Sequence, residues 1–146
     1  MTTLRRPDLG STPDPLDLSF PAMPDRLADV RRRLREWLLR CGIDSDRAYD
    51  IVLAVSEACS NSVEHGYRGE GGLVRLHASA SATDLRITVT DRGSWKPRDT
   101  PSDPWRGRGL ELIRALVPGA SLTPGPDGTE VEFRIPIAVQ PPPATV

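Results

Sequence analysis

Lysine is almost missing from this chain: Lys96 is the only one, and arginine supplies the rest of the positive charge. With 19 basic and 20 acidic residues the formal net charge is −1. Nothing in that balance argues for electrostatic capture of nucleic acid or of an anionic membrane surface. Cysteine is scarce too. Cys41 and Cys59 fall on apolar positions of helical patterns, with no close cysteine or histidine spacing. This excludes a disulfide framework or a zinc cluster and points to two buried free thiols in a reducing compartment. No apolar run approaches membrane-spanning length, and the N-terminus lacks the hydrophobic stretch of a signal peptide. The expectation is a soluble, cytoplasmic protein of one domain with a core of ordinary size.

What is present is a readable order of elements. Residues 1–15 are rich in Pro, Thr, Ser, Asp and Arg, and residues 138–146 carry a proline-rich tail; both are expected to be disordered, leaving 16–137 as the domain. Leu16, Leu18 and Phe20 alternate with polar residues as in a half-buried strand, which Pro21 and Pro24 end. Residues 25–41 predict an amphipathic helix with Leu27, Val30, Leu34, Trp37, Leu38 and Cys41 on one face and Gly42 as C-cap. Its Arg31, Arg32 and Arg35 read as a solvated face before they read as a docking surface for an acidic partner. Asp44 or Ser45 caps a second helix running to about His65. Strands over 73–81 and 85–91 form a hairpin around 82–84. Residues 92–106 hold three prolines and predict a loop. A helix from Gly107 to Val117 stops at Pro118-Gly119, and strands over 120–123 and 129–137 flank a turn. This order predicts an α+β two-layer sandwich: a mixed, mostly antiparallel sheet with the helices on one face.

The stretch from Val55 to Tyr67 carries Glu57, Asn61 and His65 at spacings of four, which stacks a carboxylate, an amide and an imidazole along one helix face. A solvated polar stripe is the plain alternative. Asp91-Arg92-Gly93 ends a strand, as ordinary turn chemistry or as a carboxylate at a pocket base. Gly107-Arg108-Gly109 opens a helix, as a hinge or as a phosphate-binding turn. The chain has no G-x-x-x-x-G-K-[ST] loop and no Rossmann glycine fingerprint between strand and helix.

In this order the motifs resemble the GHKL ATPases, the superfamily of gyrase, the chaperone, histidine-kinase and mismatch-repair ATPases. The nearer likeness is to the bacterial anti-sigma-factor serine kinases of partner-switching systems. Their motif Glu-Ala-x-x-Asn-x-x-x-His-Gly/Ala-Tyr is matched from Glu57 to Tyr67. Their D-x-G box is matched by Asp91 and Gly93, their glycine box by Gly107-Arg108-Gly109-Leu110, and their closing Gly-Thr by Gly128-Thr129. The resemblance spans residues 16–137 and implies a Bergerat-type ATP-binding fold. It implies Glu57 as the catalytic base, Asn61 as the Mg²⁺ ligand, and Asp91 as the carboxylate that reads adenine. Gly93 lets the base approach, Gly107, Arg108, Gly109 and Leu110 form the phosphate turn, and Thr129 lies near the adenine. His65 and Tyr67 are expected to be structural.

The implied function is an ATP- and Mg²⁺-dependent serine/threonine protein kinase. It would phosphorylate a STAS-domain antagonist, sequester a sigma factor and contact neither nucleic acid nor membrane. A homodimer is an option, with 16–20 as a free edge. One departure stands out: Trp95 occupies the second glycine of the usual D-x-G-x-G, beside a short, proline-stiffened lid at 94–106. Trp95 and Trp105 read as packing, and Arg106 as solvated or as a phosphate contact. The departure motivates the alternative of a kinase-inactive module that uses ATP as a structural ligand or not at all. The nucleotide domain of a histidine kinase is a weaker reading, since no segment is left for a dimerising helix pair.

Overall fold

The structure is a computed structural model that describes residues 13–63, 72–92, 109–125 and 128–137. Its elements run β1 (Leu16–Pro21), a 3₁₀ turn (Pro24–Arg26), α1 (Leu27–Arg40), α2 (Ser45–Asn61), β2 (Leu73–Ala80), β3 (Asp84–Asp91), α3 (Leu110–Leu116), β4 (Ala120–Gly125) and β5 (Gly128–Pro136). The tail at 138–146, residues 1–12 and most of the proline-rich loop lie outside the described residues.

The five strands form one sheet in the order β1-β2-β3-β5-β4, and every pairing is antiparallel. Alternation fixes the register, because a slip of one residue would turn every apolar side chain to solvent. Leu18, Leu76, Val89, Val131 and Leu122 stand side by side across all five strands. On the opposite face, Asp17 takes a two-pronged hydrogen bond from Arg75 at 2.9 and 3.0 Å, and Arg86 pairs with Glu132 at 2.9 Å. One sheet face is therefore apolar and covered, the other charged and wet. Trp37, Leu34 and Leu38 of α1, with Ile51 and Val55 of α2, complete a single core against Phe133, Leu76 and Ile87.

Several boundaries differ from the sequence expectation, each for a local reason. Pro21 belongs to β1 because this strand is at the sheet edge, where a missing backbone N–H costs no ladder bond. The first turn expected of α1 is instead a separate 3₁₀ turn with Pro24 at its start, and α1 begins at Leu27 without a side-chain cap. Past Arg40 the N–H groups of Gly42 and Ile43 bond back to the carbonyls of Leu39 and Leu38, closing the last turn. Asp44 is the cap of α2, its carboxylate accepting from the Arg47 N–H at 2.9 Å. The regular part of α2 ends at Asn61 and continues through Ser62 and Val63 as a wider π-type turn. The helix expected from Gly107 starts at Leu110, with Gly109 as its N-cap. Among the described residues no helix is long and apolar enough to cross a membrane.

Candidate active site

Two features of the fold bring the expected site residues together. The end of α2 lies beside the last residue of β3, and the start of α3 lies against the last turns of α2. Asp91 and Thr129 are direct neighbours across the β3–β5 ladder, in the same row as Val74 and Phe20. That row belongs to the covered face. A carboxylate and a hydroxyl therefore stand at the rim of the apolar layer, with Asp91 3 % and Thr129 2 % exposed.

A buried carboxylate needs donors. Ser62 supplies one: its hydroxyl donates to Asp91 Oδ2 at 2.6 Å, and the serine is itself buried. Ser62 was not among the expected site residues, although the sequence held a signal. It falls seven residues after Val55, on the core face of α2, where a polar side chain must find a partner.

Asn61 is 3 % exposed, and its side-chain Nδ2 has no hydrogen-bond partner among the described residues. Leaving such a donor unpaired costs about 1–3 kcal/mol, so its persistence marks a place where the fold alone does not complete the polar network. Glu57, one turn earlier on α2, is half-buried. Its carboxylate lies so close to Gly109 that a β-carbon there would sit 2.6 Å from Oε2. Gly109 has φ +73°, a conformation that favours glycine, so its lack of a side chain is needed for both the backbone and the acid. Gly128 is constrained similarly: a β-carbon would lie 2.0 Å from the Asp91 carbonyl oxygen, so the approach of the two strands beside Asp91 depends on glycine. Leu110, the first residue of α3, is buried and belongs to the core cluster.

Of the other expected residues, Gly93, Gly107 and Arg108 lie outside the described residues, as do His65, Tyr67, Trp95, Trp105 and Arg106. Of the two thiols expected to be buried, Cys59 is, whereas Cys41, just past the end of α1, is only partly so. Burial pushes Cys41 up to about 11 and Cys59 up to about 12, which keeps them protonated. Among the described residues no three His, Cys, Asp or Glu side chains converge as a metal cage. A separate groove of about 790 Å³ opens at the other end of α2, beside Arg47, Leu116, Val117 and Ile135, and none of the expected site residues lines it. Its cations are already engaged, Arg47 with the Pro136 carbonyl and Arg134 with Glu132.

The donor set fits a purine nucleotide carried with a hard cation. A buried carboxylate for an amino group, an incompletely satisfied amide, a half-buried acid and a glycine-opened helix start occupy one end of the helical layer. A hard divalent ion bound mainly by phosphate and water needs only one or two protein oxygens, and an amide oxygen such as that of Asn61 is of the kind it takes.

Residues 20–135 match the histidine kinase-like ATPase domain family, and the chain belongs to that family. It is 33 % identical over 88 residues to the serine-protein kinase RsbW of Bacillus pumilus, covering 58 % of this chain and 54 % of that one. It is 30 % identical over 135 residues to the sensor histidine kinase PdtaS of Mycobacterium tuberculosis, covering 84 % of this chain and 26 % of that one. Among solved structures, the RsbU and RsbW domains of Rv1364c from Mycobacterium tuberculosis align with a TM-score of 0.67 and 31 % identity, over 84 % of this chain and 32 % of that one. The chain thus spans about half the length of the RsbW kinase and smaller shares of the other two. These likenesses place the fold and a kinase-type ATPase domain at family level.

Proposed function

We propose that this chain is a cytoplasmic ATP- and Mg²⁺-dependent serine/threonine protein kinase that phosphorylates a STAS-type antagonist and sequesters a sigma factor. The observation that carries the reading is the approach of Glu57, on the same helix as Asn61 and one turn before it, to the glycine start of α3 at Gly109. Similarity to the serine-protein kinase RsbW supports the choice of acceptor class.

In this reading Asp91, with Thr129 beside it, binds the adenine amino group, and Gly93 leaves room for the base. Gly107, Arg108 and Gly109, with Leu110 anchoring the turn in the core, cradle the phosphates. Asn61 would hold Mg²⁺ through its amide oxygen, and that ion supplies neutralisation of phosphate charge. Glu57 accepts the proton of the attacking hydroxyl. The hydroxyl oxygen bonds to the γ-phosphorus, the bond from that phosphorus to the β–γ bridging oxygen breaks, and ADP leaves with the electron pair. The half-buried position of Glu57 serves this step, because proton transfer requires a positioned carboxylate rather than a solvated one.

Incubation with γ-labelled ATP and the cognate antagonist is expected to label the antagonist. Glu57→Gln is expected to abolish labelling while ATP still binds. Trp95, standing where the family's second glycine belongs, favours a second reading in which ATP is only a structural ligand. That reading predicts a nucleotide-induced rise in melting temperature with no label transferred.

A further inference from the structure

The groove of about 790 Å³ is framed by the start of α2, the end of α3 and the end of β5. We propose that its occupant is the chain's own proline-rich segment 138–146, held there as an intramolecular strap across these three elements. The strap touches none of the residues assigned to the nucleotide site, because none of them lines the groove.

The groove has an apolar lining in a neutral frame. Ile51, Val117 and Ile135 are core residues that reach it, and Leu116 is only partly buried beside them. Its charged residues are two cations, Arg47 and Arg134, and two anions, Asp50 and Glu132, so their formal charges cancel. Arg47 donates to the Pro136 carbonyl at 3.0 Å, and Arg134 to Glu132 at 3.4 Å. A charge taken into such a lining would lose hydration without gaining a free counter-charge, so the fitting occupant is apolar and uncharged. Among the stretches outside the described residues, only 138–146 meets that requirement. Its sequence, Ala-Val-Gln-Pro-Pro-Pro-Ala-Thr-Val, has no charged side chain. The others carry charges, such as Arg5 and Arg6 in 1–12, Glu64 and Arg68 in 64–71, Lys96 and Asp99 in 93–108, and Asp127 in 126–127.

Position agrees with chemistry. Ile137 is fixed by its N–H, bonded to the Thr83 carbonyl at 2.9 Å, and by packing on the core, and the two residues before it line the groove. Nine residues from there reach about 28 Å at the polyproline rise, enough to cross a groove framed by about one turn each of α2 and α3. Pro141, Pro142 and Pro143 have no N–H to leave unpaired on burial and little backbone freedom to lose. A segment tethered at the rim also meets the groove at an effective concentration of about a millimolar, which a free competitor must exceed.

The test is heteronuclear NMR relaxation on the full chain without nucleotide, at two protein concentrations. Amide order parameters of Val139, Ala144 and Thr145 are expected at about 0.8, close to those of the strands, where a free segment gives less than about 0.6. Pro142→Asp puts a charge in the middle of the segment and is expected to release it. The order parameters then fall below about 0.6, and the amide signals of Ile51, Leu116 and Gly119 shift while those of Asp91 and Thr129 hold. Leu116→Glu, the matching change in the groove, is expected to release the segment in the same way. Pro142 lies beyond the core elements, so its variant keeps the test valid should Leu116→Glu not fold. Order parameters below about 0.6 in the unsubstituted chain, or groove signals that ignore Pro142→Asp, overturn the proposal and leave the groove to another occupant. Order in the segment that is lost on dilution, with a matching fall in molecular mass, places it in a second copy of the chain and overturns the strap as well.

Discussion

Replacing Gly109 with alanine separates two demands that meet at one atom. The first is conformational: φ is +73°, where an L-residue costs about 1–2 kcal/mol relative to the ordinary helical region. The second is steric. The new β-carbon would lie 2.6 Å from Glu57 Oε2, where ordinary contact begins at 3.4 Å. The carboxylate must then withdraw by about 0.8 Å to reach van der Waals distance. That oxygen is the far end of a flexible side chain, so the movement itself is cheap and the stability loss comes mainly from the backbone. Urea unfolding of Gly109→Ala is expected to show a loss of about 1–2 kcal/mol, seen as a midpoint lower by about 1 M for a domain of this size. Phosphoryl transfer responds to the other demand. A displacement of about 1 Å in a reacting group can cost about a hundredfold in rate, so transfer is expected to fall by that order. A double-mutant cycle with Glu57→Ala isolates the steric part: local displacement of the neighbouring acid has nothing left to act on, and only the backbone cost remains. A Gly109→Ala protein with an unchanged urea midpoint and unchanged transfer would refute this account of the α2–α3 junction.

Asn61→Leu removes a buried donor that has no partner among the described residues, so stability without nucleotide is expected to hold or rise, while the melting-temperature increase given by ATP with Mg²⁺ disappears. Asp44→Ala deletes the N-cap of α2 and is expected to cost about 1 kcal/mol by chemical denaturation. Burial raises Cys59 from its ordinary 9.0 to about 12, so the folded chain keeps a proton that the unfolded chain releases. The stability this provides is complete below pH 9 and is lost as pH rises towards 12, up to roughly 4 kcal/mol in total. Urea midpoints at pH 8 and pH 10.5 are therefore expected to diverge more in the parent chain than in Cys59→Ala; equal divergence would contradict the assigned cause.

The sequence by itself determined the element types and the face that each buries, because those depend on periodicity within a segment. Alternating Leu16, Leu18 and Phe20, or the helical spacing of Leu27, Val30 and Leu34, leaves one way to keep apolar groups from water. It also made Glu57, Asn61 and Asp91 candidates, since their chemistry and spacing are local properties of the chain. Boundaries were less legible: Pro21 joins β1 only because that strand is at an edge, a fact about its neighbours. Tertiary structure alone decided which groups meet. The hydrogen bond from Ser62 to Asp91 and the fit of Glu57 over Gly109 each join residues far apart in sequence. No pattern within either segment measures that distance; it is set by how the end of α2 packs against the sheet and α3. Where a polar residue sits on a core face, the sequence shows that a partner is required, and only the folded chain shows which residue it is.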